Sequence, residues 1–494
     1  MKQAMLWGMI IFLMSCNKFL EEEPSGSLNP KNYYKTPEQV SAAVNGAYEG
    51  LATPFVANIG VAVSPVYSLE YLTGYSRRPR PSGFEDDQFL RLDKLDNANS
   101  RLQGWWNATY YAVENCNSVI ENVSVTTVVD EMTKQRYLGE AYFLRAWYYF
   151  QAVQLFGDIP LKLTTTKDIN DVRIRRSPKA AVYEQIVKDL TAAENAGLSW
   201  MDQSGHVSLG AVKSLLAKVY ITMAGYPLQK GAPYYQLAYD KALEVIGSHQ
   251  FSLFEQYSDL RNPAVQNTRE HIFMLQRHPT VAVSNIHWAY LPYPVQPVSI
   301  QPAYGGAMMP VQAFYDSYAA DDGRKQEQAF FYTKYPRYGN PAEMVFFPDP
   351  YIFKFWDQEA EKTGRSGANF PLIRYADVLL LCAEAKSNID GGATSDAAAI
   401  DAYYAVRHRA FPAALKPVNL TTDDILKERY WELCFEFQTW YDMLRTRKAF
   451  DVAHGTITNL VGYKAPNHLR SFDETDFQFP LPLAEVQKNP DLAL

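Results

Sequence analysis

Apolar positions recur every three to four residues over most of the chain, the spacing that gathers them on one face of an α-helix. Val40, Val44, Ala47, Tyr48 and Leu51 form the first such stripe. Thr36-Pro37-Glu38-Gln39 opens it with an N-cap, a proline at the first helical position and a capping-box glutamine. A second helix is predicted over 101–123, with Leu102, Trp105, Val113, Cys116, Ile120 and Val123 inward. A third runs from Asp130 through Leu138, Ala141, Tyr148 and Leu155 to Gly157. Seven aromatics between Tyr142 and Phe156 make it apolar almost all round, which predicts a central position. Further helices are predicted over 178–197, 209–224, 234–247, 372–388 and 396–410, and a long last one from Thr422 past Met443.

These segments arrive in pairs: 37–52 with 101–123, 130–156 with 178–197, 209–224 with 234–247, and 372–390 with 396–410. Small residues such as Ala217 and Ala242 stand where the helices would cross. The reading is a mainly α fold of four tetratricopeptide-like helix-turn-helix units, although the period only approximates the roughly 34 residues of that repeat. Two long stretches interrupt the pairs, 53–100 and the region between the third and fourth units, and loops of that length in a compact protein are usually functional.

The later interruption holds no Asp, Glu, Lys or Arg from Pro279 to Tyr315. Its prolines exclude helix interior and central strand, and they reduce the entropy lost when the loop orders around a ligand. Trp288, Tyr290, Tyr293 and Tyr304 are the candidate rings for stacking on the apolar face of a sugar. The competing reading is that these rings seal the loop onto the scaffold. The earlier interruption carries Tyr71, Tyr75, Arg77 and Arg78, then Glu85-Asp86-Asp87, whose forks and carboxylates suit sugar hydroxyls or an anionic group equally, or neutralise one another in solvent. Met344 to Trp356 alternates in strand fashion and is expected to form a small hairpin across Pro348 and Pro350.

Charge and composition narrow the classes. Lys+Arg 47 against Asp+Glu 54 gives a net charge of −7 with no long basic run, so no nucleic-acid partner is expected. Tyr at 34 exceeds Phe at 26, an excess that fits half-wet surfaces as well as core. No nucleotide-binding glycine motif, G-x-S-x-G elbow or H-E-x-x-H pair is present. The eight histidines are scattered, and no cofactor or zinc site is expected. Asp321 and Asp322 carry the oxygen ligands calcium takes, though without EF-hand spacing. Asp377 and Glu384 are read as a solvated helix face rather than a glycosidase pair. Cys116, Cys382 and Cys434 read as buried free thiols.

At the amino terminus, Lys2 precedes an apolar run from Ala4 to Met14, too short to span a bilayer, and Leu13-Met14-Ser15-Cys16 resembles a lipobox. The expectation is a leader at 1–15, lipidation at Cys16, a polar tether at 16–35, and a soluble body held at a membrane by that anchor. The body divides into a helical-repeat scaffold at 36–270 with its insertion at 53–100, a loop-rich ligand-binding region at 271–370, and a C-terminal repeat with closing segment at 371–494.

Several blocks, in order, resemble the SusD/RagB family of outer-membrane nutrient-binding lipoproteins. They are Cys16-Asn17-Lys18-Phe19-Leu20, Tyr34-Lys35-Thr36-Pro37, Gly139-Glu140-Ala141-Tyr142-Phe143-Leu144-Arg145-Ala146 and Leu155-Phe156-Gly157-Asp158-Ile159-Pro160. Leu372-Ile373-Arg374-Tyr375-Ala376-Asp377, Trp440-Tyr441-Asp442 and Phe479-Pro480-Leu481-Pro482 continue the series. The resemblance implies four tetratricopeptide-like units plus a loop-rich subdomain carrying the ligand site. It also implies a non-catalytic receptor at the cell surface that captures oligosaccharide over a TonB-dependent SusC-like transporter. A peptide-binding receptor of the same architecture and a purely protein-binding helical scaffold are the alternatives.

Overall fold

The computed structural model describes residues 33–55, 64–79, 84–168, 172–284, 286–292, 298–300 and 308–493. Cys16 and the expected leader lie outside them.

The helices form where the periodicity places them. Pro37–Ala52 is capped by Thr36, whose side chain accepts from Gln39 N, and buries Val40, Val44, Ala47 and Leu51. It crosses Ser100–Val125 so closely at Gly50 that a Cβ there would stand 2.3 Å from that of Ala112. Glu131–Phe156, capped by Asp130, is buried over most of its circumference and packs on both Ser100–Val125 and Lys179–Glu194. Leu209–Ala224 pairs with Ala232–Gly247, and Tyr375–Ile389 with Ala397–Ala410. Ala232–Gly247 also packs on Tyr375–Ile389, so the stack of four pairs stays continuous across the long interruption. Tyr375–Ile389 starts three residues later than its periodicity implies, because Phe370–Arg374 is a buried strand antiparallel to His271–Leu275. Cys116, Cys382 and Cys434 are buried free thiols.

The predicted last helix is two. Thr422–Glu432 ends at Glu432, the chain turns through Phe435 and Phe437 at positive φ (61° and 59°), and Thr439–Thr446 follows. The break is held from outside. Lys354 Nζ donates to the carbonyls of Glu432 (2.7 Å) and Cys434 (3.0 Å) and to the Glu436 carboxylate (2.5 Å). Phe437 N donates to Glu70 Oε1 at 2.8 Å. These bonds supply the partners that a continuing helix would have supplied itself.

Asp377 and Glu384 are also placed differently from expectation. Both are buried, at 3% and 1% exposure, in an ion cluster with partners distant in sequence. Lys218 and Arg429 reach Asp377 at 2.7 and 2.8 Å, and Arg445 reaches Glu384 at 2.7 Å. Burial opposes the Asp377 charge, but the two cations outweigh it and hold its carboxyl well below the usual range. A second cluster joins Arg324, Arg374 and Arg409 to Glu428 and Glu432, with Glu436 reached by Arg374. It ties the loop-rich region and the fourth helix pair to the closing segment.

The expected hairpin across Pro348 and Pro350 turns elsewhere. Phe331–Arg337 and Asn340–Ile352 pair antiparallel around Tyr338-Gly339, with Lys334 opposite Phe346 and Tyr332 opposite Tyr351. The register slips between those two pairings, which is where Pro348 and Pro350, lacking N–H groups, are absorbed.

Candidate functional site

The two interruptions are far apart in sequence and adjacent in space. Ser76–Arg77 forms a two-stranded antiparallel ladder with Met309–Pro310, Ser76 opposite Pro310 and Arg77 opposite Met309. Val311 N extends it by donating to Tyr75 O at 2.9 Å, and Met308 N donates to Ala289 O at 2.8 Å. Met309–Pro310 in turn packs on the Asn340–Ile352 strand, and Arg77 meets Asp349 at 2.9 Å. The earlier loop, the Ile286–Tyr290 turn and the hairpin therefore form one shelf on the helical scaffold.

The candidate side chains divide between mortar and surface. Tyr71, Tyr75 and Tyr290 are core residues, at 0%, 2% and 0% exposure, and present no ring to a ligand. Tyr75 stacks on Phe314 at 5.1 Å while its hydroxyl accepts from Phe450 N at 2.7 Å. Tyr290 O accepts from the Tyr332 hydroxyl at 3.1 Å, which pins the turn to the hairpin. For these three, sealing the loop to the scaffold is the outcome, because ring burial there exceeds what a surface loop could gain by exposure. Arg78 is likewise buried, paired with Asp86, which also takes Arg101 Nε at 3.0 Å. Arg77, by contrast, stays part-exposed beside Asp349. Tyr293 and Tyr304 lie outside the described residues.

Trp288 is the candidate ring that remains at the surface of the shelf. Both its neighbours His287 and Ala289 are buried, whereas Trp288 is half-buried, its indole edge-on to His287 with centroids 5.9 Å apart. Its Nε1 is buried and donates to no described residue. Burial keeps His287 neutral, lowering its pKa to about 4. The turn itself, Ile286–Tyr290, carries no Asp, Glu, Lys or Arg, so it offers a π face and one donor without a described partner. On the neighbouring elements Arg77 is paired with Asp349 and Arg337 with Glu343, while Lys334 is exposed on the hairpin.

The sequence reading missed Phe346 and Met344. They are 72% and 41% exposed on the hairpin face opposite buried Val345, so the strand alternation held the signal and only its inward face was read. Beneath them, Trp356 lies 5.2 Å from Phe353 with rings 10° from parallel and 4.7 Å from Tyr335, which fixes the hairpin in place. Among the described residues, no three His, Cys, Asp or Glu side chains converge to hold a metal. Asp322 is committed to Arg324 at 2.9 Å.

Residues 325–493 match the model of the SusD family, and residues 18–221 match one described as "Starch-binding associating with outer membrane". A solved SusD superfamily protein from Parabacteroides distasonis superposes with a TM-score of 0.86 at 32% identity, over 94% of this chain and 99% of that one. The chain belongs to the SusD family. SusD-like protein P2 of Formosa agariphila is 25% identical over 527 residues, covering 98% of this chain and 97% of the relative. The fold is shared by surface glycan-binding protein A from Bacteroides thetaiotaomicron, solved in complex with laminarihexaose (20% identity, TM-score 0.74, 92% of this chain and 98% of that one). SusD membership agrees with the mainly α architecture, and its second model's description places such proteins with the outer membrane.

Proposed function

We propose that this protein is a non-catalytic glycan receptor of the outer membrane, anchored through Cys16 and exposed at the cell surface. It captures an oligosaccharide on the loop shelf and passes it to a TonB-dependent SusC-like transporter. The observation that carries the reading is Trp288: a half-buried indole whose Nε1 has no described partner, on a turn without charged residues, in a member of the SusD family. Offset ring contacts of ~0.5–1.5 kcal/mol each with a few hydrogen bonds give roughly micromolar to millimolar affinity, suited to capture and release.

Catalysis is not part of the proposal. Asp377 and Glu384, the carboxylates considered for a glycosidase, are both buried and committed to arginine ion pairs, so neither is free to act on a glycosidic oxygen.

An array of neutral and anionic oligosaccharides, probed with the purified body, tests the reading. Retention of a neutral glycan series is expected. Silence on the array, together with mixed peptides carried by the purified protein, would overturn it in favour of a peptide receptor. For the transporter, co-purification from outer membranes with a β-barrel partner is the expected result, and its absence contradicts the delivery step.

A further inference from the structure

We propose a second saccharide-binding cleft on the helical scaffold, at the outer face of Ser100–Val125, which shares no lining residue with the loop shelf and does not depend on it. Trp106, Asn107, Tyr110 and Tyr111, at i, i+1, i+4 and i+5, bring one face of that helix to a cleft of about 420 Å³. Pro160, Lys162, Val172 and Ile174, with Glu485, Asn489 and Leu492 of the carboxyl-terminal turns, line its other sides. Such a volume falls in the ~300–1,000 Å³ range of small-ligand sites.

The rings are set in advance. Tyr110 lies 4.8 Å from Trp106, and its hydroxyl donates to Pro160 O at 2.9 Å. Trp106, held edge-on by Phe156 at 5.3 Å, is only 5% exposed and backs Tyr110 rather than presenting a face of its own. Tyr111, next along the face, is 53% exposed. Rings already fixed lose little conformational entropy when a ligand stacks on them.

Opposite them, Asn489 is 8% exposed, and its Nδ2 donates to Ile174 O at 2.9 Å. That bond orients the amide and leaves Oδ1 as a buried acceptor with no donor among the described residues. A ligand hydroxyl would satisfy it. Asn107, exposed on the ring-bearing face, offers further amide hydrogens. Charge on the rim is spent. Lys162 is bonded to Glu114 at 2.6 Å, and Glu485 accepts from Gln103 at 3.0 Å and Lys488 at 2.9 Å. Rings, an unmet acceptor and a neutral rim select an uncharged polyol over an anion. A larger cleft, about 570 Å³ beside Tyr226 and Tyr235, lacks this combination, because the Arg447 guanidinium already covers the Tyr226 ring at 4.7 Å.

An array of neutral gluco-, xylogluco-, manno- and galacto-oligosaccharides, probed with wild type, Trp288→Ala, Tyr111→Ala and the double variant, tests the cleft. Tyr111 is exposed, so its replacement leaves the fold intact; Asn107→Arg, which fills the cleft from another exposed position, is the second probe. The expected result is residual retention by Trp288→Ala of at least one glycan, lowered a further three- to tenfold, roughly, by Tyr111→Ala or Asn107→Arg. Residual retention unmoved by both, or no residual retention at all, overturns the cleft and leaves the shelf standing. Retention lost with Tyr111→Ala but unchanged in Trp288→Ala sinks the shelf and keeps the cleft. A wild type that retains nothing overturns both.

Discussion

Arg77 and Asp349 meet at 2.9 Å, joining two loops that lie more than half the chain apart. Each side chain is more than a third exposed, so the pair is screened by water. What joins the loops firmly is the backbone ladder beside it, Ser76–Arg77 against Met309–Pro310, and the burial of Tyr75 and Tyr290 behind it.

Asp349→Ala should therefore cost less than about 1 kcal/mol of stability. Urea unfolding of the two proteins at low and physiological salt measures it. A loss several times larger would mean that the pair, rather than the ladder, holds the shelf together.

Lys354 is the opposite case. Its ammonium is buried against two carbonyls and the Glu436 carboxylate, and it holds open the break between Thr422–Glu432 and Thr439–Thr446. Lys354→Met leaves a buried carboxylate with one cation fewer and the Cys434 carbonyl without its donor, while the Glu432 carbonyl keeps Arg374 Nη2 at 3.1 Å, a loss of about 3–5 kcal/mol. A drop in the urea midpoint at unchanged slope is the expected outcome.

That break also shows where sequence stops being legible. The helix stripes, caps and pairing could be read because they are local: Thr36, Asp130 and Ser208 each cap the helix that follows them. The break could not, since apolar residues continue through it and its cause, Lys354, stands some eighty positions upstream. Asp377 and Glu384 have ordinary polar-face spacing, and only the arrival of Lys218, Arg429 and Arg445 shows that face to be buried. In the shelf, composition singled out two segments that the fold brings side by side, but Tyr71, Tyr75 and Tyr290 turned inward while Trp288 did not. Rings that seal a loop and rings that serve a ligand have the same composition, and packing alone separates them.

His287 links the shelf to pH. Burial lowers its pKa to about 4, against about 6.5 in the unfolded chain. Between those values the unfolded state takes a proton that the folded state refuses, so stability falls as pH drops below about 6.5 and levels off below about 4. The displacement is worth about 3 kcal/mol. His271 and His468, also lowered to about 4 by burial, add to the same acid limb. Urea midpoints for His287→Leu should fall less between pH 7 and pH 4 than those of wild type. Parallel curves would remove His287 from the account.

The central claim is that the ring left at the surface of this shelf grips a neutral sugar. Calorimetric titration of wild type and Trp288→Ala with whichever oligosaccharide the array retains most strongly, alongside thermal unfolding of both, tests it most directly. The account predicts at least a roughly tenfold loss of affinity, as a stacking contact and a hydrogen bond disappear together, with the unfolding transition nearly unmoved. Equal affinities in the two proteins would contradict it.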